Sequence, residues 1–205
     1  MKKRVYLFSL SVLSLFTFCT NHDDSATNDQ ATNNNIEINS DVTALNKRLD
    51  YTNSGVISIT GSSASTGKLF NSAQSSATDF PLVQIAEVNP PKDNSGRTLQ
   101  ASHVAVNGNY AYVAYTMSGE AYSGAIDVID VSDPYKPKLI TSALIANTDI
   151  TSLTYSNGSL IIGAAADIDK NSTLKSPAIV INMPLSSGML TDKHTTTNVE
   201  GYVTT

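Results

Sequence analysis

The sequence predicts an all-β protein: a partial β-propeller of about two four-stranded blades, set behind a signal peptide and a flexible tether. Three observations predict it. From Pro81 onward the chain alternates short apolar runs with Asn-Gly, Asp-Pro and Ser-Gly punctuation, and no amphipathic helical spacing follows Cys19. The runs recur in a fixed order at intervals of about 50 residues. The amino terminus carries the basic and then apolar pattern of an export signal.

Lys2, Lys3 and Arg4 precede an apolar run of 14 residues, Val5 to Phe18, which is too short to span a bilayer as a stable helix. The only cysteine, Cys19, follows at once and has no partner for an internal disulfide. The stretch SLFTFC resembles a lipobox, with Phe18 where a small residue is usual, and the resemblance implies cleavage before Cys19 and lipidation of its thiol, for instance with palmitate. His22-Asp23-Asp24 resembles the acidic surface-export signal of lipoproteins from Bacteroidetes-type Gram-negative bacteria, which implies an outer-membrane, surface-exposed location. Losing residues 1–18 removes three basic groups and no acid, so 10 basic residues face 18 acidic ones and the net charge becomes −8. Such a chain is a poor partner for nucleic acid.

The domain plan is residues 1–18 as signal peptide, 19–40 as tether, 41–80 as linker or irregular segment, and 81–205 as the partial propeller. The tether is rich in Asn, Asp and Thr and lacks the apolar surface needed to offset its conformational entropy. Residues 41–80 show Ser, Thr and Gly without a helical period.

Strands are expected at 82–88, 103–106, 110–116, 125–131, 138–144, 150–155, 160–164 and 178–183. HVAVNGNYAYVAY (103–115) aligns with SLTYSNGSLIIGA (152–164), matching Asn107-Gly108 to Asn157-Gly158 at an offset of 50. AIDVID (125–130) aligns with PAIVIN (177–182) at an offset of 52, and FPLVQIAEV (80–88) with KPKLITSAL (136–144). The order of strand, Asn-Gly hairpin, strand, variable loop, strand, Pro-containing turn and strand is that of a propeller blade. Asn and Gly suit the hairpin because a two-residue turn needs positive φ. In Gly124 to Val131 both faces of the strand are largely apolar, as in a strand with neighbours on either side.

The run NGNYAYVAY…GAIDVIDVSDPYKPKLI resembles the LVIVD repeat of bacterial surface β-propellers. The first copy carries Asp-Val-Ser-Asp-Pro at 130–134, and the second is degenerate, with Asn182-Met183-Pro184 in that place. The resemblance implies an exported propeller with binding or adhesive roles and brings no catalytic residue with it.

Candidate chemistry is sparse. Asp127 and Asp130 lie on opposite faces of one strand and cannot share a cation without a bulge, and Asp133-Pro134 reads as a turn. Asp167, Asp169 and Asn171 have the oxygen spacing that opens a calcium loop, but Ser172 and Ala178 stand where the loop needs Gly and Glu. The sequence therefore predicts no cofactor and reads this stretch as a solvated hairpin, with calcium as the one alternative. GSSASTGKL (61–69) lacks phosphate-loop spacing, and His22, His103 and His194 are widely separated. Among the tyrosines around the first blade, Tyr115 and Tyr122 are the candidate contacts for a sugar or peptide.

These residues predict a non-enzymatic, membrane-anchored module that binds an extracellular protein or glycan. The competing expectation is a truncated part of a propeller-fold hydrolase or lyase whose catalytic residues lie outside this chain. A two-blade wedge leaves strand edges and apolar faces uncovered, so further blades are expected, with HTTTNVEGYVTT beginning a third and strand 82–88 closing the ring.

Overall fold

The computed structural model of the chain describes residues 36–52, 54–56, 83–119 and 121–199. The signal peptide, Cys19, the export signal and residues 61–69 lie outside the described residues. The elements are β1 (Ile36–Asn39), α1 (Val42–Leu45), a 3-10 turn (Asn46–Arg48), β2 (Leu49–Asp50), β3 (Gly55–Val56), β4 (Val83–Gln84) and β5 (Glu87–Val88), then β6 (Gln100–Asn107), β7 (Tyr110–Thr116), β8 (Ser123–Asp130) and β9 (Lys138–Ala146), and finally β10 (Thr148–Ser156), β11 (Ser159–Ala166), β12 (Ala178–Pro184) and β13 (Thr195–Asn198).

The described residues are all-β apart from the short N-terminal turns, and the strands form two successive antiparallel meanders. The first runs β6-β7-β8-β9 and gains β1 as a fifth, outer strand; the second runs β10-β11-β12-β13. Each opens with a two-residue hairpin, closed by the pairs Asn107–Tyr110 and Ser156–Ser159. In the first hairpin only Gly108 has positive φ (57°), the pattern of a type II′ turn; in the second both Asn157 (46°) and Gly158 (82°) do, the pattern of type I′. The turn residues are thus Gly108-Asn109 and Asn157-Gly158, and structural equivalence runs at an offset of 49, one less than the matched Asn-Gly letters suggest. A bulge recurs at the same distance from each hairpin, between Ala101 and His103 and between Ile150 and Ser152.

Strand parity shows how the meanders stack. In the first, Tyr112, Ala114, Ile126, Val128, Ala143 and Ile145 enter the shared core; in the second, Leu153, Leu160, Ile162, Ala164, Ile179, Ile181 and Met183 do. Tyr112 and Ala114 stand two and four residues after hairpin residue Tyr110, whereas Leu160, Ile162 and Ala164 stand one, three and five after Ser159. Opposite faces of equivalent sheets therefore meet, and β10 packs across β6, β7 and β8. Such a contact can be repeated from sheet to sheet, as between propeller blades; two sheets sharing one face would instead form a closed sandwich. Close approach depends on Gly124, where a Cβ would lie 2.6 Å from the Thr148 carbonyl oxygen and 2.8 Å from Ile150 Cγ1.

The outward face of the first meander is covered by the segments on either side of β2 to β5. Asp41 caps α1 through its Oδ1, which accepts from the Thr43 and Ala44 amides at 3.0 and 3.1 Å. Leu45 then packs on Ile129 and Leu139, and Leu99 on Tyr115 and Ala125. Asn46 pairs its side-chain amide with both backbone groups of Leu139, where β9 bulges against β8 between Val128 and Ile129. Beneath this cover Asp127 is fully buried and receives the Arg48 guanidinium through two hydrogen bonds, of 3.0 and 2.5 Å. Removing one partner of a buried pair of this kind costs about 3–5 kcal/mol.

Several expectations change. The strand β1 lies inside the predicted tether, because Ile36 and Ile38 alternate toward the shared core while β1 pairs with β9. The predicted linker holds α1, the 3-10 turn, β2 and β3. Residues 82–88 do not make one blade strand: β4 and β5 pair instead with β3 and β2. Thr195–Asn198 begins no third blade, since β13 pairs with β12 and completes the second.

Gly124→Val forces a side chain into the space held by Thr148 and Ile150. It is expected to destabilise the fold by about 1–3 kcal/mol in thermal or urea unfolding, while Thr154→Ala, on an exposed position of the second meander, changes stability by less than about 0.5 kcal/mol. Burial first, and the Asp127 carboxylate second, push the Tyr115 phenol well above the ordinary tyrosine range. The folded state therefore holds this proton while the unfolded chain releases it near pH 10, so stability is full below about pH 10 and falls above it. Tyr115→Phe should move the midpoint of alkaline unfolding to higher pH.

Candidate functional site

Alternation of strand direction brings the two variable loops to one rim. The loop 117–122 joins β7 to β8 and the loop 167–177 joins β11 to β12, while the β9–β10 turn emerges at the same end. The opposite rim carries the two hairpins, the Pro-containing turn 131–137 and the loop after β12.

The β9–β10 turn fastens both variable loops. Asn147 takes a left-handed conformation (φ 55°), which lets the chain reverse within one residue. Its carbonyl accepts from the Asp167 amide at 2.9 Å, at the start of the second loop. Two residues on, Asp149 Oδ1 accepts from the amides of Met117 (3.2 Å) and Ser123 (3.0 Å), the two ends of the first loop. A carboxylate from the second meander thus closes a loop of the first.

The second loop is held by its own polar side chains. Asp167 Oδ1 accepts from the Asp169 amide at 3.1 Å. Asn171 Oδ1 accepts from the Thr173 amide (3.2 Å) and hydroxyl (2.7 Å). These are the local turns that Asp and Asn favour. The far end is tied to β13: Asn198 Nδ2 donates to the Ser176 carbonyl at 3.1 Å, and Ser176 Oγ donates to the Val199 carbonyl at 2.8 Å. Between these fastenings Ile168, Asp169 and Lys170 are exposed. Among the described residues no group of three or more His, Cys, Asp or Glu side chains is arranged to hold a metal ion.

The predicted site residues separate. Tyr122 lies half-buried in the first loop of the rim, and Asp167, Asp169 and Asn171 in the second. Tyr115 is only 2% exposed and belongs to the cover of the first meander's outward face. Tyr112 is buried between the meanders, its hydroxyl donating to the Gly188 carbonyl at 3.1 Å on the opposite rim. Cys19 lies outside the described residues. Asp149 and Arg48 were not anticipated: the first is a single acid at the start of β10, and the second lies in a segment read as linker.

A separate cleft of about 340 Å³ lies between β1, α1 and the strands β8 and β9, lined by Glu37, Arg48, Lys92, Ala125, Ser142 and Leu144 among others. Its central cation is already engaged, since Arg48 donates to Asp127, to Ser142 Oγ (3.5 Å) and to the Asn89 carbonyl (2.9 Å). On the rim, by contrast, Ile168, Asp169 and Lys170 are exposed.

The LVIVD repeat model matches residues 100–144, which is the first meander from the start of β6 nearly to the end of β9. No curated protein and no solved structure matches the chain.

Asp149→Ala leaves the Met117 and Ser123 amides without their acceptor. Hydrogen exchange at these amides and through residues 117–123 is expected to rise at least tenfold, with a loss of about 1–3 kcal/mol in global stability, while exchange at the hairpin Asn157-Gly158 stays unchanged.

Proposed function

We propose that this chain is an exported, lipid-anchored binding module whose meanders stack as propeller blades and whose loops 117–122 and 167–177 contact an extracellular glycan or protein. The observation that carries the proposal is that both variable loops emerge on one rim and are fastened to the same turn, Asn147–Asp149. Loops held at their ends on a rigid β scaffold are where binding residues concentrate. Opposite-face stacking and the LVIVD match to residues 100–144 support the blade reading. The position of Cys19 behind an apolar run of 14 residues supports the anchor, and a mature net charge of −8 argues against nucleic acid as the ligand.

Two measurements test the proposal. Cys19→Ala should shift the protein from the membrane to the soluble fraction and abolish labelling by radioactive palmitate; an unlabelled parent protein with unchanged partitioning refutes the anchor. An array of extracellular glycans and matrix proteins, probed with the soluble Cys19→Ala chain, should give a ligand whose affinity drops at least tenfold with Tyr122→Ala or Ile168→Ala. Changes at Asn109 or Ser132 on the opposite rim should leave it unaltered. The reverse pattern would place binding elsewhere.

A further inference from the structure

Counting from the hairpins gives the paired positions of β6, β7 and β8 counterparts in β10, β11 and β12. Val113 and Ile162 each stand three residues past their hairpin residues, Tyr110 and Ser159. Their cross-strand partners, Asp127 and Ile181, correspond in turn. Ile181 is 3% exposed and packs in the core between the meanders. Asp127 is fully buried on the equivalent face of the first meander, under the N-terminal segment, and is paired there with Arg48. The same structural position carries an aliphatic side chain where a sheet covers it and a carboxylate where the N-terminal segment does.

The rest of that face follows the sheet-binding pattern. Val104 corresponds to Leu153, which is 2% exposed against the first meander, and Val106 to Tyr155, which packs on the same core. Val104 and Val106 are themselves 57% and 67% exposed, because the N-terminal segment covers the β8–β9 side of the face and leaves the β6 side open. The face is apolar enough to receive another meander, and Asp127 is the residue that does not fit such a partner.

We infer that Arg48 and Asp127 reserve the outward face of the first meander for the chain's own N-terminal segment and exclude from it the sheet of any other meander, above all the second meander of another copy. A sheet seated there brings no cation to Asp127, and a carboxylate buried without its partner costs more than the apolar contact returns. Opposite-face stacking would otherwise favour head-to-tail association, since the outward faces of the two meanders are different surfaces. The second meander's open face, with Ile161 and Val180 half-buried among the exposed Ser152, Thr154, Asn182 and Thr197, is the end that a neighbouring copy would present. The inference rests on the stacking geometry and is independent of the rim and of the lipid anchor.

The test uses the full soluble chain carrying Cys19→Ala, alone and combined with Arg48→Met or with Arg48→Met/Asp127→Ile. The double variant gives the first meander the residue its counterpart has. Sedimentation velocity over a hundredfold concentration range is expected to show concentration-dependent association for the double variant beyond that of the parent, reversed when Val180→Lys is added on the opposite end. Arg48→Met alone is expected to raise hydrogen exchange at least tenfold in residues 41–50 while the strands of the shared core keep their protection. A double variant that sediments like the parent overturns the inference, as does association that Val180→Lys leaves intact. Unchanged protection of 41–50 in Arg48→Met also overturns it. Loss of fold in both variants counts against it as well, because the pair would then serve stability and not the choice of partner.

Discussion

A β-sheet with two apolar faces needs two covers, and the first meander obtains them from different sources. One face is buried by the second meander through a contact of opposite faces, which sets the packing of the shared core and the need for glycine at position 124. The other is buried by a segment outside the repeat, held by Leu45, Leu99 and the Arg48–Asp127 pair. Without both, β8 would expose seven buried positions of its eight to water. The two covers also explain why the strand GAIDVID has no polar face although an acid stands in its centre.

The repeated part of the fold was legible because its signals are local. Alternation, turn residues and a period near 50 residues place β7 to β12 close to their observed positions. The one-residue error at the hairpin has a local cause: Gly108 and Asn109 form a II′ turn, whereas Asn157 and Gly158 form a I′ turn, so identical letters occupy different turn positions. The N-terminal cover was not legible, because its contacts are long-range. Ile36 and Ile38 are too few to mark a strand alone and become one only through pairing with β9. The segments of β2 to β5, two residues each, are defined by partners up to 39 positions away.

Asp127 carried a signal that sequence reasoning met only as a metal question. An acid within a run buried on both faces requires a nearby cation or a lowered charge, and Arg48 supplies the cation from 79 residues upstream. The exposed candidates were easier to name and harder to weigh. Asp167 and Asn171 take part in the loop's own turns, and Tyr115 is a packing residue, so of the two candidate tyrosines only Tyr122 stands on the rim.

The clamp made by Asp149 gives the structure an order in time. A chain that emerges amino terminus first, from the ribosome or across a membrane, has β6 to β9 available before residue 149, so the first meander can pair its strands while the loop 117–122 still lacks its fastening. The loop becomes fixed only when the next meander has begun. A nascent or cleaved chain ending at Ala146 would have the strands of the first meander without the loop geometry, and a finished rim therefore reports that emergence has passed into the second.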